Sequence, residues 1–375
     1  MIQDIQLKKL SLYQFKSYAN ATLSFSERVV CLLGNNGAGK TNLLDAIHYL
    51  TACKSYFNAI DSQNILHSFT EAAINGEFEV GGAPELIVCG IRKGQKKIFK
   101  KNHKEYERLA DHVGFIPAVI ITPYDIELIL EGSEVRRKFI DSTISQHSRR
   151  YLDQLMAYNQ ALQQRNNLIK MLASKGPLSA ELLEPWDAQL VAYGEDIHQA
   201  RMAFIDQFNP LFSEIYTAIS GVNEAPELQY DSDLSKAPFA ELLLKSREKD
   251  RALERTSVGI HRDELSFSLN RFPLKKFASQ GQQKSFLIAL KLAQYQLLRN
   301  NCRKNPILLL DDLFDKLDAN RVKNMLAWIQ NNRAGQVFIT DTDVVRIPQL
   351  LHQLTIPCEV WEIQPGSCTP LSSSE

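Results

Sequence analysis

The chain has 375 residues, with 43 Lys+Arg against 43 Asp+Glu, 44% hydrophobic and 23% charged residues. These values describe an ordinary globular protein with room for two domains, or for one large domain with an insertion, and they exclude a disordered or collagen-like chain. No apolar run reaches the roughly 18 residues of a membrane span, the start MIQDIQLKKLSLYQF has no apolar block of a secretion signal, and six cysteines without a CxxC pair or Cys/His ligand spacing argue against structural zinc and fit a reducing cytoplasm.

In chain order, Leu10 and Leu12, then Leu23 and Phe25, alternate with polar residues and predict strands. Val29–Leu33 is a continuous apolar run, as a strand buried on both faces requires. A glycine-rich turn at 34–39 follows, then a helix with Leu43, Ile47 and Leu50 on one stripe. Residues 74–120 predict shorter strands, with turns at Gly81-Gly82, Lys93-Gly94 and Asn102-His103. From about Glu134 the period becomes helical: Tyr151, Leu155, Tyr158 and Leu162 share a face, as do Trp186, Leu190, Tyr193 and Ile197 after a break at Gly176-Pro177. Phe204, Phe208, Phe212 and Ile219 continue that stripe, with a kink expected at Pro210. Residues 134–220 therefore predict a helical hairpin, and a helix of 35–40 residues would be about 50–60 Å long. A polar linker is expected over 221–256, then apolar strands at Ile307–Leu310, Val337–Thr340 and Glu359–Ile363. The tail PGSCTPLSSSE is expected to be disordered.

Three motifs carry chemistry. Gly34-Asn35-Asn36-Gly37-Ala38-Gly39-Lys40-Thr41 matches GxxxxGK[ST] between a buried strand and a helix. Its glycines let backbone N–H groups converge on phosphates, Lys40 reaches the β/γ oxygens, and the Thr41 hydroxyl suits Mg²⁺; Asn42 follows at the helix start. Ile307–Leu310 ends in Asp311-Asp312. Two carboxylates at a strand end suit a metal ligand, Asp311, and a group that orients or deprotonates water, Asp312. The third motif is Ser279-Gln280-Gly281-Gln282, a polar, glycine-containing entry to an apolar helix. It resembles the signature motif of ABC-type ATPases. There a serine, a glycine and a helix N-terminus meet the γ-phosphate held by the partner subunit's P-loop, which suits the hydroxyl of Ser279, the bare backbone of Gly281 and the side chain of Gln282.

The resemblance narrows to one family. LKKLSLYQFKSY, LGNNGAGKTNLLDAIHYL, CKSY at 53–56, EGSEVRRKFID, YNQALQQRNNLIK, GIHRDELSFSLN, FASQGQQKSFLIALKLAQ and PILLLDDLFDKLDANR together are similar to the bacterial RecF family, SMC-like ABC ATPases of recombination mediation. The resemblance implies an α/β fold, an ABC-type P-loop ATPase domain split in sequence by a helical arm. Its first part would be 1–125, the arm and linker 126–255, the second part 256–365, and 366–375 a tail. It also implies that Asp318 is the D-loop aspartate at a dimer interface, with ATP and Mg²⁺ as cofactors. The activity would be slow, DNA-stimulated ATP hydrolysis. An ATP-dependent homodimer would clamp gapped or duplex DNA, partner with RecR and RecO, and promote RecA loading in recombinational repair, replication and the SOS response. Alternatives are an SMC-like break-processing ATPase with a nuclease partner, which lacks its long coiled coil here, and a transporter ATPase, which would need a membrane partner.

The sequence departs from the wider pattern in three places. Asp312 stands where most ABC ATPases have glutamate. Thr340-Asp341-Thr342 follows Val337–Ile339 without the usual switch histidine. Phe57 follows the Lys-Ser-aromatic segment where many relatives have arginine. For DNA, the segment RKGQKKIFKKNHK concentrates Arg92, Lys93, Lys96, Lys97, Lys100, Lys101 and Lys104. Such a cluster suits sequence-independent phosphate contacts. It also suits a solvated hairpin face. Arg136-Arg137-Lys138 and Arg149-Arg150 either extend this track or pair with nearby acids. His261-Arg262-Asp263 reads as a buried ionic cluster joining the insertion to the core, with no nucleophile beside it.

Overall fold

The computed structural model describes residues 2–173, 180–314 and 317–371. In chain order the elements are β1 (Ile5–Phe15), β2 (Tyr18–Ser24), β3 (Val29–Leu33), α1 (Lys40–Ala52), β4 (Glu71–Val80), β5 (Ala83–Arg92), β6 (Ile98–Lys101), β7 (Lys104–Glu105) and β8 (Ala118–Ile121). There follow α2 (Glu127–Leu130), α3 (Ser133–His147), α4 (Arg149–Leu172), α5 (Ala180–Ser220), β9 (Pro226–Asp231), α6 (Phe239–Leu253), β10 (Glu264–Leu269), β11 (Phe272–Pro273) and α7 (Leu274–Phe277). The last elements are α8 (Gln280–Cys302), β12 (Ile307–Leu310), α9 (Ala319–Asn331), β13 (Val337–Asp341), α10 (Arg346–Gln353), β14 (Cys358–Gln364) and β15 (Ser367–Leu371).

These elements form two compact units. The first comprises residues 1–125, 215–222 and 280–375, the second 126–214 and 223–279. The first unit contains an antiparallel sheet of order β2-β1-β4-β5-β6-β7 and a sheet of order β15-β14-β3-β13-β12-β8. In the latter, β14, β3, β13, β12 and β8 run parallel and only β15 is antiparallel. Parallel strands covered on both faces must be apolar throughout, and all residues of β3, β12 and β8 are buried. β1 instead buries alternate residues, Leu7, Leu10 and Leu12 among them, with a register shift between Leu7 and Lys9. Side chains of both sheets and of α1 pack into one core, where Leu10, Ile74 and Phe78 meet Leu43, Ile47 and Phe338. The end of α5 belongs to this unit: Tyr216 packs edge-on against Phe286 of α8 (6.4 Å), and Asn324 of α9 donates to the Ile219 carbonyl (3.1 Å).

The second unit is built on α3, α4 and residues 180–214 of the 41-residue α5, which continues through Pro185 and Pro210. Residues expected to form a linker instead supply β9 and the helix α6. β9, β10 and β11 form a small antiparallel sheet. Residues 256–279, expected to open the second ATPase segment, belong to this unit. The basic residues considered as an extended DNA track are ion-paired or hydrogen-bonded here. Arg136 pairs with Glu264 (2.8 Å), Lys138 with Glu134 (2.6 Å), Arg149 with Asp153 (3.0 Å) and Arg150 with Asp196 (2.6 Å), while Arg137 donates to the Asp263 carbonyl (2.6 Å). Part of the tail differs from expectation: residues 367–371 add β15 beside β14, because Gly366 takes a left-handed turn (φ 78°) that returns the chain along the sheet edge, while 372–375 lie outside the described residues.

Candidate functional site: the P-loop cleft

The strand order places β13 between β3, which leads into the P-loop, and β12, which ends in the two aspartates. All three are parallel, so their C-terminal ends converge on one edge, where α/β sheets bind ligands. The turn from β3 to α1 uses glycine for definite reasons. A Cβ at Gly34 would lie 2.1 Å from the Ile363 carbonyl oxygen of β14. Gly39 caps α1 at φ 107° and has the Tyr18 hydroxyl and Ser17 Oγ where a side chain would project. The first turn of α1 holds no acidic residue, so its exposed N–H groups and positive dipole end stay available to an anion.

Lys40 Nζ donates to the carbonyls of Gly34 (2.8 Å) and Asn35 (3.2 Å) and lies 3.9 Å from Asp312. Thr41 Oγ1 donates to the Asp311 carboxylate at 3.0–3.1 Å. Thr340, at the end of β13, also reaches Asp311 Oδ1 (2.9 Å), lies 3.4 Å from Asp312 Oδ1, and accepts from the Asp312 N–H (2.9 Å). Burial pushes the Asp311 carboxyl up to about 6; the Thr340 and Thr41 hydroxyls pull the other way, and neighbouring Asp312 adds to the rise. Asp312 itself is in the left-handed region, φ 42°, which costs a non-glycine residue energy. A hydroxyl and a buried carboxylate in contact form a hard-oxygen pair that fits Mg²⁺, which takes one or two protein oxygens beside phosphate and water.

Thr41, Asp311 and Asp312 line an open cleft of about 1360 Å³ that extends past Asn42 and Asn36 to Ser17, Phe57 and Tyr124. Of the expected nucleotide residues, Gly37, Gly39 and Lys40 line a smaller adjoining recess with Asp312. Ala38 is buried. The side chains behind the cleft form a network. Lys16 pairs with the buried Asp45 of α1 (2.5 Å), which also accepts from Ser55 Oγ and from the Tyr56 N–H (both 2.6 Å). This ties the Lys-Ser-Tyr segment to the P-loop helix, with Lys16 over the Phe57 ring (5.3 Å). At the former switch position, Asp341 is buried against Arg346 (2.7 Å). Asp45, Lys16 and Arg346 were not singled out from sequence; their signal is only that each stands within or near a motif.

Gly281 and Gln282 do not line the cleft. They open α8, and Ser279, one residue before it, is exposed. Arg321 of α9 lies against Gly281, with guanidinium nitrogens 3.3–3.4 Å from where a Cβ would stand. It donates to Ser285 Oγ (2.6 Å) and pairs with Asp318, whose side chain caps α9 by accepting from the Arg321 N–H (3.0 Å). The signature and D-loop positions in the first unit are thus linked through one arginine. The basic cluster divides. Arg92 pairs with Glu71 (2.6 Å), Lys97 with Asp61 (3.0 Å) and Lys101 with Glu85 (3.1 Å). Lys93 lines the cleft. Lys96 and Lys104 are exposed, Lys100 half-buried, and none of the three has an ion-pair partner among the described residues. The His261-Arg262-Asp263 cluster joins elements of the second unit to one another: Arg201 of α5 binds Asp263 (2.8 Å) and Asp141 of α3 (2.9 Å), Tyr230 of β9 binds Asp263, and Tyr158 of α4 meets His261 (2.8 Å).

A strand–P-loop–helix unit, an acid pair on a strand two places away and a separate signature-type helix start define an ABC-type ATPase fold of the SMC branch. The comparisons agree. The model of the RecF/RecN/SMC N terminal domain matches residues 6–349. The chain is 43% identical over 370 residues to a DNA replication and repair protein RecF of Bacteroides fragilis, covering 98% of this chain and 99% of that one. It is 46% identical over 338 residues to the protein of the same name from Flavobacterium johnsoniae, covering 90% and 94%. Among solved structures, a recombination mediator protein RecF with ATP, described in the RecFOR pathway, superposes with TM-score 0.90 at 27% identity over 99% of both chains. An Smc head domain from Pyrococcus furiosus shares the fold at TM-score 0.56 and 16% identity. This chain belongs to the RecF family of DNA replication and repair proteins. Among the described residues no helix is long and apolar enough to cross a membrane.

Proposed function

We propose that this chain is an ATP-gated DNA clamp. The observation that carries the reading is the division of the site: Lys40, Thr41, Asp311 and Asp312 converge on the cleft, whereas Gly281 and Gln282 of the same unit do not line it. A signature segment outside its own cleft is usable by a second copy. Nucleotide would lie along the P-loop N–H groups, with Lys40 leaving the Gly34 and Asn35 carbonyls for the β/γ oxygens. Thr41 and Asp311 would hold Mg²⁺, which supplies the positive charge that polarises the terminal phosphate. Asp312 would orient the attacking water, assisted by Thr340 in place of a histidine. ATP draws two chains together only if it binds the pair better than the single chain, and Ser279, Gly281 and Gln282 of the twin supply those extra contacts, with Asp318 at the joint.

Asp312 is one methylene shorter than glutamate and held at φ 42°, which supports slow hydrolysis acting as a release timer. On DNA, Lys96, Lys100 and Lys104 are the cations of the basic hairpin best able to meet phosphates. By kinship with the structure described in the RecFOR pathway, the biological task would be gapped-DNA binding in the cytoplasm with RecR and RecO, ahead of RecA loading. The test is binding of a gapped duplex with and without ATP. Wild type should bind tightly only with ATP, and Lys40→Met should bind weakly in both. Equal binding by the two proteins would remove the gating.

A further inference from the structure

Between Leu265 and Leu310 the chain contains no Asp or Glu, although acids and bases balance overall. The surface part of this stretch lies just before the signature segment. β10 turns into β11 through Asn270 (φ 52°) and Arg271 (φ 68°), both left-handed. Asn270 is locked there by reciprocal bonds with Ala225, 2.8 Å each. The turn holds Arg271 out in solvent and sets Phe272 beside Phe277, the last residue of α7, with ring centroids 5.5 Å apart. Leu274 anchors α7 in the core, while Phe272 and Phe277 remain 58% and 66% exposed. Lys275 and Lys276 are exposed, and Lys275 Nζ reaches the Leu130 carbonyl (2.5 Å). Two exposed phenylalanines in contact, with three exposed cations in the same segment, make a surface of the kind that marks an interaction site.

We infer that Phe272 and Phe277, with Arg271, Lys275 and Lys276, dock on the nucleotide-loaded cleft of a second copy of this chain. The inference rests on the ATP-dependent pairing proposed above and extends the twin's contribution beyond the signature. Three features select this occupant. Phe277 is two residues from Ser279, joined by an extended Ala278 (φ −80°, ψ 136°), so the patch adjoins the signature serine within the same unit. The facing cleft carries Asp311 and Asp312 beside Lys16 and Lys93, and a bound triphosphate would make it anionic, which suits three cations. Its rim also carries aromatic surface, Tyr124 being 63% exposed beside Phe57 at 6.1 Å, which suits ring-to-ring packing. Buried aromatics of this kind are the residues that dominate interface affinity.

The experiment is sedimentation velocity with ATP and Mg²⁺, with binding of a fluorescent ATP analogue measured in parallel on the monomers. Phe272→Ser/Phe277→Ser should bind the analogue like wild type yet dimerise about tenfold more weakly or worse. The surface change Lys276→Glu should act in the same direction with an unchanged melting temperature, so a folding defect in the double variant does not decide the matter. Mixing the Phe double variant with Lys40→Met should restore heterodimers with one nucleotide per pair, because one composite site then joins an intact P-loop to an intact patch. Undiminished dimerisation by both variants would overturn the inference. So would normal dimerisation with loss of oligo-dT binding, which would make the patch a platform for unpaired bases. A wild type that stays monomeric with ATP would instead bring down the pairing on which the inference rests.

Discussion

Two buried carboxylates show how differently the two units use charge. Asp263, in the second unit, is pushed up by burial and pulled back by Arg201, with hydroxyl hydrogen bonds from Ser232 and Tyr230 assisting. A permanent cation is part of its environment. Asp311, in the first unit, is equally buried, but the groups that touch it are the neutral hydroxyls of Thr41 and Thr340, and the next acid worsens its position. Lys40 rests on backbone carbonyls, at 3.9 Å from Asp312. The second unit has closed its electrostatic circuit within the chain. The first leaves Asp311 without a cation in contact among the described residues and Lys40 on backbone carbonyls, as the metal and triphosphate site proposed above would require.

The comparison breaks most sharply at Arg201. Arg201→Met would leave Asp141 and Asp263 buried without their cation, a loss of about 3–5 kcal/mol in unfolding free energy, measurable as a lower urea midpoint. A loss below about 1 kcal/mol would mean that water or another group already compensates these acids. Acid serves as a control that strikes both units. Burial lowers His112 and His261 to about 4 from the ordinary 6.5. A depressed histidine contributes stability that is full above pH 6.5 and is lost as pH falls through 6.5 toward 4, because the unfolded chain takes up the proton first. For His112, held between the Leu50 carbonyl (2.7 Å) and the Tyr106 hydroxyl (3.1 Å), that is about 3 kcal/mol. The urea midpoint should fall between pH 7 and pH 4.5, and His112→Gln should flatten the drop.

Lys40→Met should leave thermal stability nearly unchanged while weakening ATP by about 10- to 100-fold, the worth of a charged hydrogen-bonding contact, as read by titration calorimetry. Asp311→Asn is the subtlest case and the most telling for the comparison. It removes a charge that the fold compensates poorly, so the nucleotide-free protein should melt at the same temperature or a few degrees higher, while Mg²⁺ should cease to strengthen nucleotide binding. The corresponding change in the second unit, Asp263→Asn, should lower the melting temperature.

The P-loop and the acid pair were legible because each is contiguous and its neighbours in sequence are its neighbours in space. Thr340 was legible only as a missing histidine: its place between Asp311 and Asp312 depends on β13 lying between β3 and β12, a sheet order that local pattern does not encode. The link from Asp45 to Lys16, Ser55 and Tyr56 likewise joins separate segments through tertiary packing. The polar stretch 221–256 hid α6 because much of its buried surface is one stripe, Phe239, Leu243, Ser246 and Asp250. Two of those four are polar, and Asp250 is buried where Arg165 (2.7 Å) and Ser257 (2.6 and 2.9 Å) reach it from outside the helix. The pairing within the basic hairpin was hidden for the same reason, since the acids that meet Arg92, Lys97 and Lys101 come from other strands and turns.

The central claim is that one chain's nucleotide is completed by another chain's signature segment. Analytical ultracentrifugation of wild type and Ser279→Arg, each with and without ATP and Mg²⁺, addresses it most directly. The account predicts dimers for wild type with ATP alone, and a Ser279→Arg protein that binds ATP normally but stays monomeric. Nucleotide-indifferent association of wild type, or ATP-driven dimers of Ser279→Arg, would contradict it.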